Sequence, residues 1–313
     1  MFGMIALLGT TAAMLSVIGN DCVQTLSTFI QSCGKRKASA WMMSIFLSTV
    51  FVGTLCYGYF VLGDASFGRL AAIPYQEPQV LHLIPLAVLV VLTYIGIPVS
   101  TTFIVLSVFS TNAVMLQMIQ KSVIGGTMAF TFGFCVWSIL VRFFDERKDV
   151  IPKKYHSKLI GIQTIATGVL LVAWVMHDVA NILVFLPRGT ELGNVAFLAI
   201  CVASCAVLSL IVFASGGRIQ KIVANKSGTN YVFSAILIDF FYAFVLFFLK
   251  GYSDIPMSTT WAFIGLILGR ECAMAVYHDK SLKKFLPIAR KDIYKLVLGA
   301  AISIIVVEIV QSV

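Results

Sequence analysis

The chain has 313 residues, of which 59% are hydrophobic and only 12% charged, with a formal net charge of +9 and a mean hydropathy of +0.95. Soluble domains carry about 25% charged residues, so this composition excludes a soluble globular protein and points to a chain dissolved in lipid. The positive balance does not indicate nucleic acid as a partner, because the Lys and Arg residues stand between apolar runs, where membrane topology accounts for them.

Ten apolar segments follow in chain order, at roughly 4–32, 40–62, 79–96, 98–116, 121–141, 159–186, 193–214, 231–250, 256–276 and 293–312. The first lacks a basic leader and runs on to Asn20-Asp21, so it is expected to be a span rather than a cleaved signal. An ionised group at membrane depth is costly and marks a functional site by default. With Gly19 beside it, Asn20-Asp21 predicts a broken helix. Almost no loop separates the third and fourth segments, which predicts either a re-entrant hairpin or a tight turn between two spans. Irregular backbone at that depth is tolerated only inside protein or beside a wet cavity. At this junction residues 94–102 read Tyr-Ile-Gly-Ile-Pro-Val-Ser-Thr-Thr. Proline suits the first turn of a helix, the hydroxyls after it lie beside that turn's free N–H groups, and such a helix start favours an anion.

After the fifth segment comes a charged stretch, 142–158, read as a solvated linker. The sixth segment is interrupted by His177-Asp178, as the first is by Asn20-Asp21. The eighth carries Asp239, a proton site or a neutralised acid, and a Phe-rich run at 240–248 expected to face lipid. Residues 252–260 then read Tyr-Ser-Asp-Ile-Pro-Met-Ser-Thr-Thr, a second copy of the earlier stretch. Lys250, four residues before Asp254, is expected at the surface, and Arg270-Glu271 in the ninth segment is expected to satisfy itself. The seven cysteines show no metal-ligand spacing and read as small buried hydrophobes.

Asp21 precedes Ser100 by 79 positions and Asp178 precedes Ser258 by 80, while Asp21 to Asp178 is 157 and Pro98 to Pro256 is 158. Two motifs recurring in one order at matched spacing indicate an internal duplication. The predicted fold is an all-α polytopic membrane protein. It has two inverted repeats of about five transmembrane or re-entrant segments each, residues 1–145 and 157–313 joined by a cytoplasmic linker at 146–156, with broken helices meeting at the midplane. An odd number of segments inverts the second copy. Eighteen basic residues fall in the loops on one side and three (Arg69, Lys121 and Arg188) on the other, which makes the first side cytoplasmic and places both termini on the non-cytoplasmic side. Inverted repeats with interrupted helices are a common plan for secondary transporters.

A single Ser-Thr-Thr in a membrane helix is usually packing or back-bonding; duplication at matched spacing shifts the reading toward an anion site. Asp21, Asn20, Gln24, Asp178 and Asn181 offer the hard oxygens that Na+ takes, and the carboxylates could instead carry a proton. His177 is either a group titrating near neutrality or a hydrogen-bonded core residue. A channel would want a continuous polar path rather than two clusters. A His177–Ser258 hydrolase dyad lacks a Gly-x-Ser-x-Gly elbow.

These motifs resemble those of the inorganic phosphate transporter (PiT) family, which carries Gly-x-Asn-Asp-Val-Ala-Asn and Gly-x-Pro-Val-Ser-Thr-Thr-His in each of two inverted repeats. The first is matched by Gly19-Asn20-Asp21-Cys22-Val23-Gln24 and by His177-Asp178-Val179-Ala180-Asn181. The second is matched by Gly96 to Phe103 and by Asp254 to Trp261. Gln24 and His177 stand where the family has Asn, and Phe103 and Trp261 where it has His. The resemblance implies symport of inorganic phosphate with Na+ or H+, with sulfate permease as the alternative and an anion channel as the alternative from another class. It implies substrate binding by Ser100, Thr101, Thr102, Ser258, Thr259 and Thr260 with Asn20 and Asn181, and cation or proton coupling by Asp21, Gln24, Asp178 and His177. No resident cofactor, metal or enzymatic activity is expected; the partners are the anion, the coupling ion and membrane lipid, with room for a homodimer.

Overall fold

The computed structural model describes residues 3–22, 25, 26, 29, 37–95, 97, 99–143, 155–214, 232–277 and 282–312. Gln24, Pro98 and much of the basic clusters that set the expected sidedness lie outside the described residues. Among the described residues every regular element is a helix. Helix α1 (Met4–Ala13) widens into a π-helical stretch, Met14–Cys22, and α2 (Lys37–Cys56) ends in a π turn, Tyr57–Val61. A 3-10 turn, Val80–Leu83, leads into α3 (Ile84–Ile95). A short helix follows as a π turn, Thr102–Leu106, and a 3-10 turn, Ser107–Phe109. Then come α4 (Asn112–Leu140), α5 (His156–Asp178), α6 (Ala180–Leu183), α7 (Asn194–Phe213), α8 (Val232–Tyr252), α9 (Thr259–Tyr277) and α10 (Leu282–Gln311). Among the described residues eight helices are long and apolar enough to cross a membrane. The protein is an all-α polytopic membrane protein.

Ten segments are present among the described residues, with three segment ends moved. The fourth stops at Phe109 rather than 116 and the fifth starts at Asn112 rather than 121, because Ser110 is extended and Thr111 caps α4, its hydroxyl accepting from Val114 N. The tenth starts at Leu282 rather than 293, since the charged residues there are good helix formers that hydropathy does not register. The third and fourth segments, Val80–Ile95 and 101–109, fall short of the ~20 residues of a span, whereas α8 and α9 reach it with 21 and 19 residues.

Close packing follows the small residues. Gly265 and Gly269 on α9 lie against the backbone of Gly126 and Phe130 on α4, and a methyl group on Gly133 would stand 2.6 Å from Leu266 O. Such Gly-x-x-x-Gly contacts let backbones approach where lipid removes the hydrophobic drive between helices. Helix α2 pairs antiparallel with α7: Trp41 meets Phe213 at one end, and Tyr59 stacks on Phe197 at the other. On α8, Phe240, Phe244 and Phe248 face outward at helical spacing while Tyr242, Val245 and Leu249 are buried, and Phe241 packs against Phe132 and Trp137.

Candidate functional site

Both acid motifs sit where helices break. Asp21 lies in the π-helical stretch that ends α1. Asp178 ends α5, and Asn181 lies in the short α6 beyond the break at Val179. In the first half, Asn20 Nδ2 donates to Asp21 Oδ1 (2.9 Å) and to the carbonyl of Val99 (3.1 Å), while Thr93 Oγ1 donates to Asn20 Oδ1 (3.0 Å). Thr101 Oγ1 donates to Asp21 Oδ2. In the second half, Thr259 Oγ1 donates to Asp178 Oδ2 (2.6 Å) and Asn181 Nδ2 to Asp178 Oδ1 (3.2 Å).

Asn181 joins the halves, since its Nδ2 also donates to Thr101 Oγ1 (3.0 Å). One hydrogen-bonded chain thus runs Thr93–Asn20–Asp21–Thr101–Asn181–Asp178–Thr259, and Tyr242 extends it by donating to Thr259 O (2.9 Å). Two residue pairs are equivalent in position and in contact: Thr101 with Asp21, and Thr259 with Asp178. The serines do a different job. Ser100 Oγ accepts from Phe103 N (3.2 Å) and Ser258 Oγ from Trp261 N (3.3 Å), so each caps its own helix start. Ser258 N in turn donates to Ser122 Oγ on α4 (2.7 Å). Phe103 and Trp261 meet edge to face at 5.9 Å.

All eleven described candidate residues are at most 3% exposed, so the cluster is closed to solvent in this conformation. Asn181 Oδ1 is buried and accepts no hydrogen bond. A buried acceptor left open beside two carboxylates is suited to a cation.

His177 is placed otherwise than Asn20. Its ring nitrogens meet Arg69 Nη2 (Nδ1 at 2.7 Å) and the Leu246 carbonyl (Nε2 at 2.8 Å), not the acid pair. Arg69 is a residue that reading the sequence missed. It lies in the loop between α2 and α3 and has no exposed surface. Asp64 shapes that loop, accepting from Ser66 N (2.7 Å), Ser66 Oγ (2.7 Å) and Gly68 N (2.6 Å). Phe67 and Gly68 both have positive φ there, a turn that glycine eases. Arg69 Nη1 donates to Ser253 O (2.7 Å) and Ile255 O (3.0 Å), just ahead of Ser258. Burial pushes its pKa down to about 10, against the pull of Asp178 and Asp254, so it stays a cation at neutral pH. The signal in the sequence was rarity: Arg69 is one of only three basic residues in the loops expected on the non-cytoplasmic side.

The remaining charges behave quietly. Lys250 pairs with an exposed Asp254 at 2.7 Å and holds its carboxyl below the usual range. Arg270 pairs with Glu271 at 2.6 Å and also reaches Ser234 Oγ (3.0 Å). Asp239 accepts from Thr167 Oγ1 (2.6 Å).

No family model and no curated protein matches this sequence. Among solved structures, the chain is similar to one described as "The sodium-dependent phosphate transporter", with a TM-score of 0.62 and 16% identity over 99% of both chains. At that identity the likeness shows a shared fold over the whole length.

Proposed function

We propose that this protein is a secondary transporter that carries inorganic phosphate across a membrane, coupled to Na+ or H+ by alternating access. The observation that carries the reading is the single buried hydrogen-bond chain from Asn20 to Thr259, in which both acid motifs and both Ser-Thr-Thr helix starts take part. Two helix starts offer N–H groups and hydroxyls to an anion. The carboxylates and Asn181 Oδ1 offer oxygens to a coupling cation, or a seat for a proton. Closure of the cluster favours alternating access over a channel, because an open conductive path would leave it wet. The fold likeness to a protein described as a sodium-dependent phosphate transporter supports the same reading.

The two halves, 1–145 and 157–313 about the 146–156 linker, are proposed as inverted repeats. The antiparallel pairing of α2 with α7, equivalent segments in the two halves, supports this. So does a reciprocal exchange: α9 packs on α4, and the short helix 101–109 packs on α10. Both termini are proposed to face the non-cytoplasmic side, and a homodimer is compatible with the fold. Uptake of labelled phosphate into proteoliposomes, with and without Na+, tests the function; no uptake under either an Na+ or an H+ gradient would sink it.

Thr101 and Thr259 should matter together. Their double change to Val keeps volume and removes the hydroxyl from each carboxylate. An unmet buried group costs ~1–3 kcal/mol, so apparent KM for phosphate should rise about tenfold or more. An unchanged KM would argue against these hydroxyls.

Phosphate should also be preferred over sulfate. Near neutral pH phosphate keeps a proton to donate, and Asp21 or Asp178 can accept it; sulfate brings only acceptors and leaves a buried mismatch. That difference is on the order of a hundredfold in affinity. Excess unlabelled sulfate should barely reduce phosphate uptake, and equal competition would favour sulfate permease instead.

A further inference from the structure

Two buried carboxylates and an incoming anion bring three negative groups into one enclosed cluster, a charge that is costly away from water unless cations meet it. Arg69 is a cation one residue removed from that cluster, joined to it through His177. Its guanidinium touches His177, the neighbour of Asp178, and the carbonyls of Ser253 and Ile255, which lead into Ser258-Thr259-Thr260. All of these partners are neutral acceptors, and among the described residues no ion pair holds it. Its Nε is buried and has no partner. The staple between the loop and residues 253–255 uses Nη1 alone, so it does not explain the unmet Nε. A guanidinium is planar, permanently charged and matched to oxyanion geometry, which makes it a strong partner for phosphate.

We propose that Arg69 is a substrate contact, whose Nε–H takes an oxygen of the phosphate anion at the Ser258–Thr260 half of the site. This rests on the transport reading above and adds a residue outside both duplicated motifs. It makes the two halves unequal: the second has a built-in cation, and the first has Asn20 where His177 would receive one.

The test is phosphate uptake by purified protein in proteoliposomes, comparing wild type with Arg69→Gln and Arg69→Lys. Losing a charge-assisted contact should raise the apparent KM for phosphate by about tenfold to a hundredfold, with kcat little changed and part of the loss recovered by Lys. A staple alone would lower the yield of folded protein and leave KM where it was; folded Arg69→Gln with unchanged KM overturns the proposal. If the variants do not fold, the wild type decides. With 15N-labelled arginine and one phosphate per chain in a phosphorus-free detergent, solid-state NMR should show dephasing of an arginine Nε signal by 31P, and no dephasing overturns the contact. Dephasing without uptake would keep the anion contact and sink transport instead; uptake without dephasing would do the reverse.

Discussion

Asp21→Asn should reduce cation-coupled phosphate uptake by at least about a hundredfold while the protein stays folded. The substitution keeps shape. The amide oxygen can still accept from Asn20, and the amide N–H2 can face Thr101 once that hydroxyl turns. Only the charge is removed. A unit charge ~4 Å from a bound cation is worth about 4 kcal/mol at the effective dielectric of a protein site. A loss of ~2.7 kcal/mol is already a hundredfold. Because Asp21 is 2% exposed, salt would screen little of this. Size-exclusion and thermal-unfolding profiles should match wild type while uptake collapses. If uptake stays within threefold of wild type at limiting cation, Asp21 is a structural acid and the coupling assignment for this half is wrong. Asp178→Asn should behave alike if the two halves share the cation.

Gly269→Val should fail at the level of the fold. A side chain at Gly269 would meet Phe130 O, and Phe134 N would lie 2.8 Å from its Cβ. These are backbone atoms of α4 that no rotamer can move aside. Overpacking of this kind costs about 3 kcal/mol or more. The damage would also reach the site, because Ser122 on α4 holds Ser258 N just before α9 begins. Parting the two helices therefore removes the support under Thr259 and Thr260. Thermal unfolding in detergent should drop by many degrees, and uptake should vanish. Gly161→Val on α5 is the matched control, since a Cβ there meets nothing within 4 Å and should leave both readouts near wild type. Equal effects from the two changes would mean that glycine flexibility, rather than close approach, is what matters at Gly269.

Much of this was legible in the sequence because hydropathy and repetition are local signals. Ten apolar runs gave ten helical segments, since a backbone in lipid must satisfy its own N–H and C=O groups and the helix does so within one segment. The matched spacing of the acid and hydroxyl motifs singled out Asp21, Thr101, Asp178 and Thr259, and these four stand in one hydrogen-bonded chain. Segment ends were less legible: Ser110 and Thr111 stop one helix and cap the next with two small polar residues that a hydropathy window averages away.

What only the tertiary structure decided depends on contacts between residues far apart in sequence. Nothing local says that Ser100 and Ser258 cap their helices while the threonines bond the acids; a hydroxyl's partner is set by which carboxylate is folded against it. His177 has the sequence position of Asn20, yet it meets an arginine from the loop after α2. Arg69 lies 184 positions from the carbonyl of Ser253 that it holds. Its sequence neighbours, Gly68 and Leu70, carry no sign of that contact. A buried charge is stabilised by whatever polar atoms surround it in three dimensions, and no pattern along the chain records that surrounding.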